Sequence, residues 1–554
     1  MLRGVVLGAI GLEALYLVGA NGLFATKKLE SWISNDYGTF QLRYERLWTW
    51  VPGRYHVRGL TLQSAGQGVQ WILGIDQASF TTNPLTLVRH HFDVSRVDAS
   101  GVVFRLRTTL PPGEPAGPEL AEFPPVPDFP TMLPVPEEPP TPVDDLWTVA
   151  IRHIDAHAKE LWFQQFRHAG DVRAQGQFML TPGLFFSVGP ASLEFLSGQV
   201  TAGPRVVASS LTGWVKASIE PTSIIDPGRQ SVFPEVDGLV ALDAQLPGVE
   251  AWQSFLPAGV KLADGSGQVV VRASLARGLL QGGSRASYET ERLTVHTGET
   301  TVVGEVKGEW AVRDGSESSH IKLDVPTASM TRRGYKGAGS PRLSALHGDV
   351  LTGPLDTAGR WEFRRAHASV GAFEAPDVRY FNTDELTGTG FVFEQGVARA
   401  HGSATIEAPD ITSADVKLTV ESLTARHKGD QGHAEVAFFA HLPPSSLAKG
   451  LTIGEARLDL RDVFARAQGK EIKQWWTRID VGNAKVTLTP ELGVRGPVTV
   501  QAKDASPALA FALDPGGIEG LLRDHLNTKE LKVQATVATV PGGLDLRLPA
   551  AEGG

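Results

Sequence analysis

The chain has no cysteine in its 554 residues. That single absence removes disulfide frameworks, thiolate zinc sites, iron–sulfur ligation and a cysteine nucleophile. It leaves the redox compartment open. An excess of positive charge is also missing: 52 Lys and Arg against 61 Asp and Glu give a formal charge of -9. A nucleic-acid surface needs a basic stripe to displace counterions, so no nucleic-acid partner is expected. Between Asp145 and Pro507 there is no long segment of helical period, only short ones such as Gly248–Pro257 and Gln468–Arg478. Nothing helical is therefore available to cover a large one-sided sheet.

Catalytic signatures are lacking as well. There is no Gly-x-Ser-x-Gly elbow, and the glycines at Gly304–Gly308 and Gly334–Gly339 lack the Lys-Ser/Thr of a phosphate loop. His153 and His157 stand four apart without the general-base Glu of a zinc-protease helix, so no metal is expected. No enzyme activity and no cofactor are anticipated. A weaker reading, a glycan-active protein, rests on Trp48, Trp50, Trp475 and Trp476 as stacking surfaces and on acidic pairs.

What is present begins with an apolar run from Gly4 to Phe24. About 21 residues at ~1.5 Å each suffice to cross roughly 30 Å of hydrocarbon. Its apolar members are Val5, Val6, Leu7, Ile10, Leu12, Leu15, Leu17, Val18, Leu23 and Phe24. A retained anchor and a cleaved signal peptide, with small residues at Val18-Gly19-Ala20, are the two readings. Both export the bulk of the chain. Glu13 falls inside the run and is either a contact to a partner helix or a tolerated neutral carboxyl.

Residues 111–142 hold 13 prolines, and Arg107 to Arg152 encloses no Lys or Arg. Eight acidic residues fall in 114–145, nearly the whole net charge. This composition reads as a solvated linker rather than a core. Elsewhere period-two alternation dominates, each run being a strand with one apolar face. The apolar positions are Leu60, Leu62, Val102, Phe104, Leu106, Ile321, Leu323, Val325, Leu418, Val420, Leu458 and Leu460. They continue through Val486, Leu488, Val498, Val500, Val533, Val537, Leu544 and Leu546. Turn signals such as Asp264-Gly265, Asp314-Gly315 and Gly388-Thr389-Gly390 separate the runs as hairpins require. The apolar face must be buried by a second sheet or by a ligand. At about 13 residues per strand the chain would make roughly 38 strands, on the order of 180 Å at ~4.8 Å each.

The stretch Tyr44–Leu62, with Pro52-Gly53-Arg54-Tyr55-His56-Val57-Arg58-Gly59-Leu60-Thr61-Leu62, follows the apolar run and leads into Trp71–Phe80, Pro84–Val88 and Val94–Leu106. This order resembles the opening of AsmA-like proteins, and Leu146–Phe186 and the closing segment are similar in texture. The resemblance implies a mostly β fold: an N-terminal transmembrane helix, then an elongated antiparallel repeating β-groove with few short helices. It implies a single-pass protein of a bacterial inner membrane, its bulk in the periplasm, holding phospholipid acyl chains and helping transfer to the outer membrane. The alternating residues above would line the groove. The expected division is an anchor at 1–26, a first groove segment at 27–113, the acidic linker at 114–145, the main groove at 146–510, and an amphipathic helix with closing strands at 511–554. Other envelope proteins are possible partners through Glu13 or the C-terminus. The alternative is a structural factor for outer-membrane assembly, its sheets closed on each other without lipid.

Overall fold

A computed structural model describes residues 2–34, 40–65, 69–83, 85–86, 90–108, 148–181, 185–223, 235–249, 253, 259–313, 318–337, 339–355, 361–383, 387, 390–408, 410–427, 430–446, 450–467, 470–487, 493–504, 530–540 and 543–547. Leu488 and the helix expected after Pro507 lie outside these residues, as do the side chains of Val5, Val6, Leu7, Ile10, Leu12, Leu544 and Leu546.

Two helices come first, α1 (Leu2–Ala25) and α2 (Lys28–Ile33), separated by Lys27 in a left-handed conformation. Among the described residues no helix is long and apolar enough to cross a membrane. Among the described residues nearly all else is strand, joined in one sheet of 27. The first block is β1 (Phe40–Arg43), β2 (Arg46–Val51), β3 (Arg54–Ala65), β4 (Val69–Thr82), β5 (His91–Thr108), β6 (Thr148–Phe163), β7 (Phe166–Thr181) and β8 (Phe185–Ala202). Shorter strands follow: β9 (Arg205–Ala208), β10 (Ser210–Ser223), β11 (Val236–Leu246), β12 (Val260–Asp264), β13 (Gly267–Ala276), β14 (Leu279–Leu280), β15 (Arg285–Thr297) and β16 (Thr300–Val312). Long hairpins complete the ladder: β17 (Ser319–Arg332), β18 (Arg342–Leu355), β19 (Trp361–Ala375), β20 (Phe391–Glu407), β21 (Ile411–His427), β22 (Asp430–Ser446), β23 (Leu451–Ala467), β24 (Lys470–Thr487), β25 (Gly493–Ala502), β26 (Leu531–Val540) and β27 (Gly543–Arg547).

Each strand pairs with its sequence neighbour, apart from short strands that lie end to end beside a longer one. Thus β1 and β2 share the edge of β3, and β12 and β13 share an edge of β15. The ladder therefore has roughly 23 rungs and a length of roughly 105 Å at ~4.8 Å per rung. This corrects the estimate of 38 strands. From β20 to β24 the strands run 17 or 18 residues, not about 13, because the alternation continues through mid-strand irregularities. Gln468–Arg478, read as a short helix, is mostly strand: Val463 faces Trp475 and Leu460 faces Thr477 across the β23–β24 pair. Its β-branched and aromatic side chains favour a pleated surface.

One pair departs from the antiparallel expectation. β5 and β6 run parallel, from His91 opposite Thr148 to Leu106 opposite Phe163. A parallel pair needs a connection that returns the length of the strand, here about 50 Å at ~3.3 Å per residue. Residues 109–147 make that return. Even at ~3.1 Å per residue they could reach about 120 Å, so the proline-rich stretch is long enough to be a crossover. The sheet continues from β5 to β6 without a break.

Bulges interrupt the long strands at related places. Register shifts occur in β21 between Val420 and Leu423 and in β23 between Leu460 and Val463. Ser422 and Asp462, at φ 51° and 48°, occupy the left-handed region there. The freed amide of Ser422 donates to the Glu435 carboxylate at 3.0 Å. Such bulges bend a strand and sharpen its twist, which curves a sheet too long to lie flat.

Candidate functional site

Directly opposed residues share a face of a sheet, so the registers can be followed from strand to strand. One row runs Ala328, Leu343, Phe373, Ala400, Leu418, Phe438, Leu458, Ile479, Val500 and Val533, one residue on each strand from β17 to β26. Beside it runs Val325, Leu346, Val370, Gly402, Val416, Ala440, Ala456, Val481, Val498 and Ala535. A third row crosses the first half: Val57, Ala78, Ala99, Ala156, Ala174, Leu193, Val215, Val240 and Ala273. It passes through the parallel pair without changing face. Every member of these three rows is apolar or glycine.

The other face is charged. Asp459 and Arg478 are direct partners joined at 2.7 Å, as are Arg457 and Asp480. His347 meets Asp324 at 2.5 Å and His441 meets Asp415 at 2.8 Å. Further forward, Trp162 lies between Arg105 and Arg167, and both guanidiniums bond the Glu160 carboxylate, at 2.6 and 2.8 Å. Burial alone would push the Glu160 carboxyl up, but those two hydrogen bonds outweigh it and hold it below the usual range.

The apolar face is not sealed. In the row from Leu343 to Val533 every side chain keeps intermediate exposure, whereas the middle of a two-sheet sandwich is closed to water. Among the described residues, substantial strand–strand contacts run only between ladder neighbours or strand segments beside them. A 3-10 turn, Val378–Phe381, does pack on this face, with Val378 buried against Ala375, Ala398 and Val420. No family model matches this chain, and no curated protein or solved structure does either. The site has to be read from its own residues.

Of the positions expected to line a groove, Leu418, Leu458, Val500 and Val533 fall in the first row and Val325 and Val498 in the second. Val420 and Leu460 are both partners of Val436 in a neighbouring row. Leu62 and Phe104 are both partners of Leu73, and Leu60 faces Ile75. Val102 is buried opposite Ala158, and Leu106 lies between Trp71 and Phe163. Ile321 sits between Trp310 and Val350, while Leu323 sits between Gly308 and Gly348 and is 40% exposed. Val486 faces Leu451 and Val494, and Val537 faces Gly496 and Leu546. Sequence reading picked out Ala535 but missed the other alanines and the lone aromatics that complete the rows, notably Phe373 and Phe438. It also missed His168, which follows Leu161 across the strands and is 5% exposed. Among the described residues neither of its ring nitrogens has a hydrogen-bond partner, and burial lowers its pKa. Among the described residues there is no group of three or more His, Asp or Glu able to hold a metal.

The helices finish one edge of this surface. The Asn21 amide of α1 donates to the Thr49 carbonyl at 2.9 Å and accepts from the Thr49 amide at 3.0 Å. It stands in for a missing strand on the free side of β2. In α2 the Glu30 carboxylate accepts from the Tyr44 amide at 3.0 Å, and the nearby Ser34 hydroxyl accepts from the Leu42 amide at 3.1 Å. Leu23 lies in this docked half of α1, and Phe24 is buried, its ring edge-on to Tyr55 at 6.0 Å. Leu17 is half-buried, whereas Leu15 and Val18 are 72% and 74% exposed.

Proposed function

We propose that this chain is a non-enzymatic envelope protein that holds phospholipid acyl chains along the apolar face of its sheet and helps pass them between the inner and outer membranes of a diderm bacterium. In this reading α1 is the inner-membrane anchor and the sheet stands in the periplasm. The observation that carries the proposal is the apolar face, whose row from Leu343 on β18 to Val533 on β26 stays half-exposed, with no second sheet packed on it among the described residues. Each methylene taken out of water contributes about 0.8 kcal/mol, and a surface of Val, Leu, Phe and Ala demands no particular headgroup.

Native mass spectrometry of the gently purified protein, with lipid extraction, tests the proposal. Several phospholipids bound per chain are expected. A lipid-free, monodisperse chain would overturn it and favour the envelope-assembly role.

A further inference from the structure

α1 and the turns beside it suggest how the sheet sits on a membrane. The second half of α1 is already committed to protein. Tyr16 bonds Tyr55 hydroxyl to hydroxyl at 2.7 Å, Asn21 is paired with Thr49, and the Phe24 carbonyl accepts from the Tyr44 hydroxyl at 3.0 Å. The helix thus lies along β2, its N-terminal half pointing past the β2–β3 turn. From Leu2 to Leu15 the part of the helix that precedes these contacts is about 21 Å long at ~1.5 Å per residue, against roughly 30 Å of hydrocarbon. A helix that spans must sink to about Asn21, which carries the β2–β3 turn some 8 Å into the membrane.

That turn is chemically suited to the position. Trp50 is 70% exposed and Val51 54%, with the cation Arg54 beside them. A neighbouring turn ends at the same level, since the Thr82 amide donates to the Gly53 carbonyl at 2.8 Å, and it presents Leu85 at 76% exposure. Tryptophan concentrates at the headgroup level, and arginine keeps its charge in the phosphate layer while its stem stays apolar. We infer that Trp50, Val51 and Leu85 enter the interface of a phospholipid bilayer beside α1, so that the first rungs of the sheet rest in the membrane rather than hang from a tether. This rests on the anchor reading of α1.

The chain has no cysteine, so single-cysteine probes carry no background. Trp50→Cys, Leu15→Cys and Trp476→Cys, the last on distant β24, are labelled with an environment-sensitive fluorophore in the full chain and placed in phosphatidylethanolamine–phosphatidylglycerol vesicles. Lipids carrying a spin-label quencher near the headgroup are then added. Emission at positions 50 and 15 is expected to shift to the blue and be quenched, with position 476 unchanged. Quenching at 15 without quenching at 50 overturns the inference and leaves the anchor standing. No quenching at either removes the anchor and the inference with it. Quenching at all three means that the sheet lies flat on the bilayer, which also overturns it.

Discussion

Replacing Leu458 by Glu tests the apolar face where it is most continuous. Leu458 stands between Phe438 and Ile479 in the row that crosses β17 to β26, and its side chain is half-exposed. An acyl chain lying along that row would lose contact with some three or four methylenes there, about 3 kcal/mol at ~0.8 kcal/mol each. The carboxylate adds a desolvation cost wherever lipid covers it. Three kilocalories correspond to roughly a hundredfold drop in occupancy at that rung. Because lipid would have to pass each rung in turn, transfer should fall by a similar factor. The assay is passage of fluorescent phospholipid from donor to acceptor vesicles, with lipid retained by the purified protein counted alongside. Lys417→Glu is the control: its partner Phe439 lies on the charged face, where no lipid is expected. Both variants should keep the wild-type melting temperature within a few degrees, since neither residue is buried. Equal loss of transfer in the two, or loss in neither, would refute the assignment of the faces.

Asn21→Ala removes two hydrogen bonds to Thr49 at about 1 kcal/mol each, so hydrogen exchange at the Thr49 amide should speed up while the strands beyond β4 keep their protection. His168→Phe should flatten the acid side of the stability profile. The folded chain resists protonating this buried imidazole while the unfolded chain takes a proton near pH 6.5, so its contribution is complete above about pH 6.5 and falls below it, by at most about 1.4 kcal/mol per pH unit. Urea titrations of wild type and variant between neutral and mildly acid pH measure the difference, and parallel profiles would sink the argument.

The apolar face was readable wherever valine, leucine or isoleucine alternates with charge, as at Leu458 and Leu460 between Arg457, Asp459 and Arg461. It was harder to read where alanine or glycine supplies the apolar position. Ala78, Ala99, Ala156 and Ala174 stand in one row on successive strands, yet each is too small to mark a face by itself. Bulges hid the rest, because one extra residue inverts the phase of everything beyond it. Val325 and Ala328 share a packed cluster although three residues apart, and Leu460 and Val463 straddle another such shift. The parallel pair could not be seen at all, since alternation is the same in either direction and only the ends of β5 and β6 reveal the return through 109–147. Docking of α1 is a long-range event carried by Tyr16, Asn21 and Phe24, and nothing in the local pattern distinguishes Asn21 from any polar residue at the end of an apolar run.

The two halves of the apolar face are built differently, and this bears on where a ligand could lie. In the first half the largest cluster joins Leu42, Tyr44, Val57, Ala78, Ala99, Val102, Ala156, Ala158, Leu161 and Val172, all at 9% exposure or less. Phe104, Leu193 and Phe195 pack around it. Small alanines sit under larger neighbours there, so the face largely fills itself with its own side chains. From β20 to β26 the central row keeps half-exposed leucine, phenylalanine, isoleucine and valine, and it is this part that has contacts to offer an acyl chain. A self-filled end next to α1 gives rigidity where the sheet meets its anchor, and an unfilled end supplies the binding surface. On the lipid reading, chains would therefore be held more tightly with distance from the anchored edge, rather than equally at every rung as a uniform trough would hold them.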